Sequence, residues 1–179
     1  MRRERAGRNP DWFDRMRMTS IRKRISSSAT LYRLIYRSCN DVLRVRPGAD
    51  IGQEIRDILA ASRRNNAARN VTGALLFTAS GFAQVLEGPR DVVETTFERI
   101  GQDPRHTDVT VLNFTPTERR YFPQWPMAFR GQAAAPAMDP WPAASEGVSP
   151  LTGLQTATGS DVLRLLEKII QREDEWIAA

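Results

Sequence analysis

The chain is poor in the residues that build covalent and metal-held structure. It has one cysteine and one histidine in 179 residues. Cys39 has no partner for an internal disulfide, which excludes a disulfide-stapled secreted scaffold and suits a reducing cytoplasm. His106 has no second imidazole and a single thiolate to work with, so no zinc centre built from those ligands is expected. No run approaches the roughly 18 consecutive apolar residues of a membrane-spanning helix. The N-terminus has no apolar core of a signal peptide. The glycine fingerprint of a dinucleotide-binding βαβ unit is missing, and Gly88-Pro89-Arg90 lacks the lysine and glycines of a phosphate loop. Paired carboxylates of a hydrolase are also missing, leaving Glu87 as a lone acid on a strand.

What is present is unevenly spread. The formal charge is +5, from 26 basic and 21 acidic residues. Nine of the basic and three of the acidic residues fall in 1–30, so the basic character belongs to a leader. Such a segment can touch nucleic acid or an anionic membrane surface, but the simpler reading is a solvated, poorly ordered extension over 1–29. Asn9-Pro10, followed by Trp12, Phe13 and Met16, suggests a short helix within it.

Residues 30–130 alternate strand and helix signals. Leu31–Arg37 reads as a strand with Tyr32, Leu34 and Tyr36 on one face and Arg33, Ile35 and Arg37 on the other. Asp50 caps a helix with apolar Ile51, Ile55, Ile58 and Leu59, and Ser62 shares their face. Val71–Thr78 and Phe82–Glu87 form a hairpin across Ala79-Ser80-Gly81. Pro89 opens a second helix at its first position, with Val93, Phe97 and Ile100 as its buried stripe. Val109–Phe114 is a fourth strand and Trp125–Phe129 a fifth. A linker rich in Ala and Pro follows over 131–159. The chain then enters a helix over 160–177 carrying Val162, Leu163, Leu166, Ile169, Ile170 and Ile177.

This order, βαββαββ, predicts an α+β, ferredoxin-like sheet with two helices on one face. The C-terminal helix has enough apolar surface to cover the other face. Such a fold announces no function. The informative residues are polar groups on buried faces. Gln84 lies between Phe82 and Leu86, Tyr36 lies beside Leu34, and Asn66 closes the first helix. Each needs hydrogen-bond partners. Either they satisfy one another, or together they form a site.

Six segments in this order resemble the BLUF domain, a blue-light sensor that uses FAD. They are Leu34–Ser38, Ala61–Asn66, Val71–Phe77, Gln84–Pro89, Asp103–His106 and Phe122–Phe129. The resemblance implies a flavin slotted between the two helices above the sheet. Tyr36 then matches the photoactive tyrosine and Gln84 the switching glutamine. Trp125 and Met127 match the pair that exchanges places near that glutamine. Asn66 matches the asparagine at the flavin's carbonyl edge, while Arg105 and His106 match residues near the ring and ribityl-phosphate side. Ser62, one helical turn before Asn66, lines the same groove. A tyrosine can give an electron to a photoexcited flavin and shed its proton. A glutamine can relay that proton and present its amide in a new orientation. No net reaction results, so the chain is expected to be a sensor and not an enzyme.

Pro126, between Trp125 and Met127, departs from the family pattern. It removes a backbone donor, which confines that strand to an edge. Ala83 is small where bulky residues are common. The output is expected to run through the last strand to the C-terminal helix. The expected partners are FAD, a downstream signalling protein and further copies of the chain; nucleic acid is not expected. Two alternatives use the same fold. An acylphosphatase-type hydrolase would need Asn66 and Arg64 on a loop instead of a helix end. An RNA-binding sheet would need aromatics on the outer face, where the first strand presents Arg33, Ile35 and Arg37.

Overall fold

Alternation along each strand divides the core into two halves, one on each side of a five-stranded sheet. The computed structural model describes residues 30–78, 81–131 and 157–177. The leader with its Trp12–Met16 helix, the linker as far as residue 156, and the side chains of Ile169, Ile170 and Ile177 lie outside the described residues. The elements are β1 (Leu31–Asn40), α1 (Val42–Val45), α2 (Ile51–Ala67), β2 (Thr72–Phe77), β3 (Gly81–Pro89), α3 (Arg90–Gln102), β4 (His106–Thr117), β5 (Ala128–Gly131) and α4 (Gly159–Ile177). The strand order is β4-β1-β3-β2-β5. All neighbours are antiparallel except β2 and β5. This is the predicted ferredoxin-like α+β sheet with a fifth strand added at one edge.

On one face, Leu34, Tyr36, Leu75, Phe77, Phe82 and Leu86 pack against Ile55, Ile58 and Leu59 of α2 and Val93 and Phe97 of α3. Fully burying a side chain such as Phe97 or Val93 is worth roughly 2 kcal/mol. On the other face, Ile35, Ala74, Leu76, Ala83 and Val85 pack against Val162 and Leu166 of α4. The C-terminal helix therefore covers the face that two crossover helices leave bare. That cover removes the open surface an RNA-binding sheet would need.

Helix α2 starts as its sequence suggests, with the Asp50 carboxylate accepting from Gly52 N at 2.8 Å. Shortly after its end, Asn70 takes φ 56°, a left-handed conformation that asparagine tolerates better than most residues. Helix α3 begins at Arg90, so Pro89 is its cap and the last residue of β3, one position earlier than predicted. Gly73 of β2 permits the closest backbone approach: a Cβ there would lie 1.9 Å from Val85 O.

Several boundaries differ from expectation. Strand β4 spans His106–Thr117 because it pairs along the whole of β1, from Leu31↔Thr117 to Asn40↔His106. It is an edge strand with many exposed threonines and polar residues, which blurs its apolar alternation. Helix α1 has four residues, too short to leave a periodic signal. The fifth strand begins at Ala128, not Trp125, because its register with β2 starts at Ala74↔Ala128. Pro126 thus precedes an edge strand, outside the ladder.

Residues 118–127 form a strap between β4 and β5. Its first half is anchored by Glu87, whose carboxylate is fully buried. The carboxylate accepts from Arg33 Nε at 2.7 Å, Tyr121 N at 2.9 Å and Phe122 N at 3.1 Å. Arg33 also lies 4.3 Å under the Tyr121 ring. Arg120 donates to Glu87 O at 2.6 Å, Thr72 Oγ1 at 2.8 Å and Asn70 O at 2.7 Å. The lone acid of the sequence is therefore a buried anchor.

Candidate functional site

Tyr36 and Gln84 are direct partners in the β1–β3 register. Both face the helices, at 0% and 4% exposure. Tyr36 Oη donates to Gln84 Oε1 at 2.5 Å. Gln84 Nε2 donates to Met127 Sδ at 3.3 Å. The amide is thus held at both ends, with a strong partner on its oxygen and a weak acceptor on its nitrogen. The Phe97 ring packs 5.2 Å from that of Tyr36. Burial, followed by the charge of Asp103, pushes the Tyr36 phenol far above its ordinary range, so it is neutral at any physiological pH.

Above this pair lies a cavity between α2 and α3. Ile58, Ala61, Ser62 and Asn65 of α2 form one wall, and Arg99 and Ile100 of α3 form the opposite one. Tyr36, Leu75, Gln84 and His106 form the floor, with Asp103 and Arg105 at the α3–β4 connection. Aliphatic side chains flank the slot, and amide, hydroxyl and charged groups converge on it. A flat heteroaromatic ring with a polar edge suits such a lining.

Charges at the connection are paired. Arg105 Nη2 donates to Asp103 at 2.6 Å, and Arg105 Nη1 donates to Glu54 at 3.3 Å. Glu54 also accepts from Arg46 at 2.6 Å. Burial works to raise the Asp103 carboxyl, but hydrogen bonds and charge from Arg105 outweigh it and hold the group below the usual carboxylate range. His106 is nearly buried, its Nδ1 2.9 Å from Ser38 Oγ and its ring 4.3 Å from that of Phe82. Burial lowers its pKa to about 4, with Asp103 opposing the shift and Arg105 adding to it.

The structure brings together most of the residues singled out from the sequence, and separates two of them. Tyr36, Gln84, Ser62, Arg105 and His106 line the cavity. Met127 touches Gln84 from the side, one residue before β5. Asn66 is buried, but its Nδ2 donates to Pro126 O at 2.7 Å, and the neighbouring Asn65 lines the slot. Trp125 packs with the α4-side cluster, across the sheet from Gln84. Trp125 and Met127 therefore lie on opposite faces. The cavity also recruits Asn65, Arg99 and Asp103, which sequence reasoning did not single out as site residues. Arg99 sits beside Ile100 on the helix predicted to flank the groove, the one signal that could have found it. Ser38 had a comparable signal, since it shares the strand face of Tyr36.

A βαββαβ sheet with a slot between its helices and a tyrosine–glutamine pair on the floor is the arrangement expected of a flavin-binding light sensor. The chain belongs to the BLUF family, "Sensors of blue-light using FAD", whose model matches residues 31–128. It is 36% identical over 118 residues to the photoactivated adenylate cyclase subunit beta of Euglena gracilis, covering 63% of this chain and 13% of that one. It is 36% identical over 88 residues to the blue light- and temperature-regulated antirepressor BluF of Escherichia coli (strain K12), covering 48% and 20%. Among solved structures it resembles the dark state of BlrB, a BLUF protein, with TM-score 0.52 and 34% identity over 57% of this chain and 74% of that one. The match thus spans about an eighth of the first of these curated relatives and a fifth of the second.

Proposed function

We propose that this chain is a blue-light photoreceptor that holds FAD between α2 and α3 and signals to a protein partner through β5 and α4. The observation that carries the reading is the buried Tyr36–Gln84 hydrogen bond of 2.5 Å on the cavity floor. When bound, a flavin supplies blue absorption and an excited state able to take an electron. Tyr36 is the phenol positioned at the floor to give one. Its proton then has a short path, because the hydroxyl already points at Gln84 Oε1. Gln84 can take that proton or turn its amide over. Turning the amide over releases the thioether of Met127, a weak acceptor that holds the amide nitrogen only loosely.

Ser62, Asn65, Arg105 and His106 would supply the polar contacts to the ring and its side chain, and Asn66 would join them by giving up its hydrogen bond to Pro126 O. The aliphatic walls of Ile58, Leu75 and Ile100 would hold its faces. Met127 leads directly into β5, and α4 packs on β5 and β1. A change at Gln84 therefore has a route of direct contacts, through Met127 and β5, to the C-terminal helix. The antirepressor relative supports an output delivered to another protein, and a second copy of the chain is one candidate. FAD is the flavin that the family description names. A 30–130 sensor domain with a basic leader and a linked helix, working in the cytoplasm, is the organisation that fits this reading.

An absorption spectrum tests it. The purified protein should be yellow and show a reversible red shift under blue light. Tyr36→Phe should stay yellow and lose the shift. A protein that stays colourless after soaking with FAD, or a full shift in Tyr36→Phe, overturns the reading.

A further inference from the structure

We propose that Ser38 is a positioning residue that fixes His106 as its Nε2–H tautomer, so that the ring offers the cofactor cavity a neutral hydrogen-bond donor. The inference rests on the cavity being the flavin site.

The argument is an accounting of hydrogens. Ser38 and His106 are both nearly buried, at 4% and 9% exposure. Ser38 Oγ lies 2.9 Å from His106 Nδ1. Two arrangements fit that distance. If Nδ1–H donated to Oγ, the buried hydroxyl would need a second acceptor for its own proton. Among the described residues Ser38 has no other side-chain hydrogen bond. The hydroxyl therefore donates to Nδ1, and the ring carries its proton on Nε2. Nothing among the described residues accepts from Nε2, and His106 lines the cavity beside Tyr36 and Gln84. Phe82, 4.3 Å away, keeps the ring from tipping.

A donor held this way differs from the guanidinium of Arg105, which Asp103 and Glu54 already engage. It is uncharged and selects an acceptor atom, a hydroxyl or carbonyl oxygen or an unprotonated ring nitrogen of the bound cofactor. Ser38 is not itself among the residues lining the cavity and acts through the imidazole it contacts.

The chain has a single histidine, so 15N-histidine labelling reports this one ring. In the dark, pigmented protein at pH 7, Nδ1 should give a pyridine-type resonance and Nε2 a pyrrole-type one. Ser38→Ala should shift both nitrogens toward averaged values and weaken flavin binding about fivefold, the loss of one ordinary hydrogen bond. Ser38→Thr, which keeps the hydroxyl, should restore both readouts. A wild-type ring protonated on Nδ1, or averaged between tautomers, overturns the proposal, as does a Ser38→Ala spectrum identical to wild type. A colourless preparation that still shows the Nε2–H pattern supports the lock and instead overturns the flavin reading.

Discussion

Met127 holds the amide nitrogen of Gln84 through its thioether sulfur, 3.3 Å away, while Trp125 lies across the sheet. Replacing Met127 with Leu keeps the volume but removes the acceptor. The dark orientation of the amide then loses a partner worth at most about 1 kcal/mol. Return to the dark state should slow by about two- to fivefold, read as the decay of the red-shifted absorbance after a blue pulse. A Trp125→Phe variant should leave that decay nearly unchanged, because Trp125 does not contact the amide. An unaltered decay in Met127→Leu would remove the sulfur from the switch.

The Glu87 carboxylate is an anchor and should behave as one. Glu87→Ala leaves the Arg33 guanidinium and two strap amides without their acceptor in a buried place. The expected loss is about 3–5 kcal/mol, seen as a lower urea midpoint at unchanged slope. Arg33→Ala should cost a similar amount. Their double mutant should cost less than the sum, since the two share one network.

Acid should weaken the fold through His106. Its folded pKa, about 4, lies below the unfolded value of 6.5. The unfolded chain therefore binds the extra proton first as pH falls, and stability drops between those values. The full effect is roughly 3 kcal/mol at and below the lower pKa. The charged groups facing the ring are Asp103, which favours protonation, and Arg105, which opposes it. Asp103 acts in the same direction on stability: its folded pKa is depressed, so its contribution is present above the unfolded value and lost further into acid. Urea titrations at pH 7, 5.5 and 4.5 should show a falling stability. In Asp103→Asn the His106 part of that fall should be larger, because the favouring charge is gone.

Light should loosen the C-terminal helix. Hydrogen exchange over 125–131 and 157–168 should be faster in the lit state than in the dark. Leu166→Ala, which empties a fully buried site under the sheet, should cost about 2–5 kcal/mol and raise exchange there even in the dark. Equal exchange in dark and light would sever α4 from the switch.

The parts of the fold that were readable from the sequence are those with strong alternation or caps. Leu34 and Tyr36, Phe82 to Leu86, and the Asp50-capped helix carry the pattern that burial on one face demands. β4 was expected over Val109–Phe114, but its two ends were missed because an edge strand with one solvated side has little apolar contrast. β5 was misjudged because Trp125 and Met127 look like strand residues. They are large and apolar for another reason: each fills a different side of the sheet at its edge. The tyrosine–glutamine pairing was legible because two strands with polar residues on buried faces had to be neighbours. That Asn66, which the sequence singled out, is buried with its amide on Pro126 O while Asn65 lines the slot was not, since only the tertiary partner fixes what each of two adjacent helix positions meets. Asp103 and Arg99 were equally hidden, because a charged residue at a helix end reads as solvated until something is packed beside it.

One sheet separates the tyrosine–glutamine pair from the C-terminal helix, and it is a single polypeptide layer thick. Along β1, Tyr36 faces the slot while its neighbour Ile35 supports α4, and along β3 Gln84 and Val85 divide the same way. A partition built like a drumhead has no depth in which to absorb a blow. Under the proposed switch, a displacement at Gln84 has only the thickness of one strand to cross before it reaches the residues that support α4.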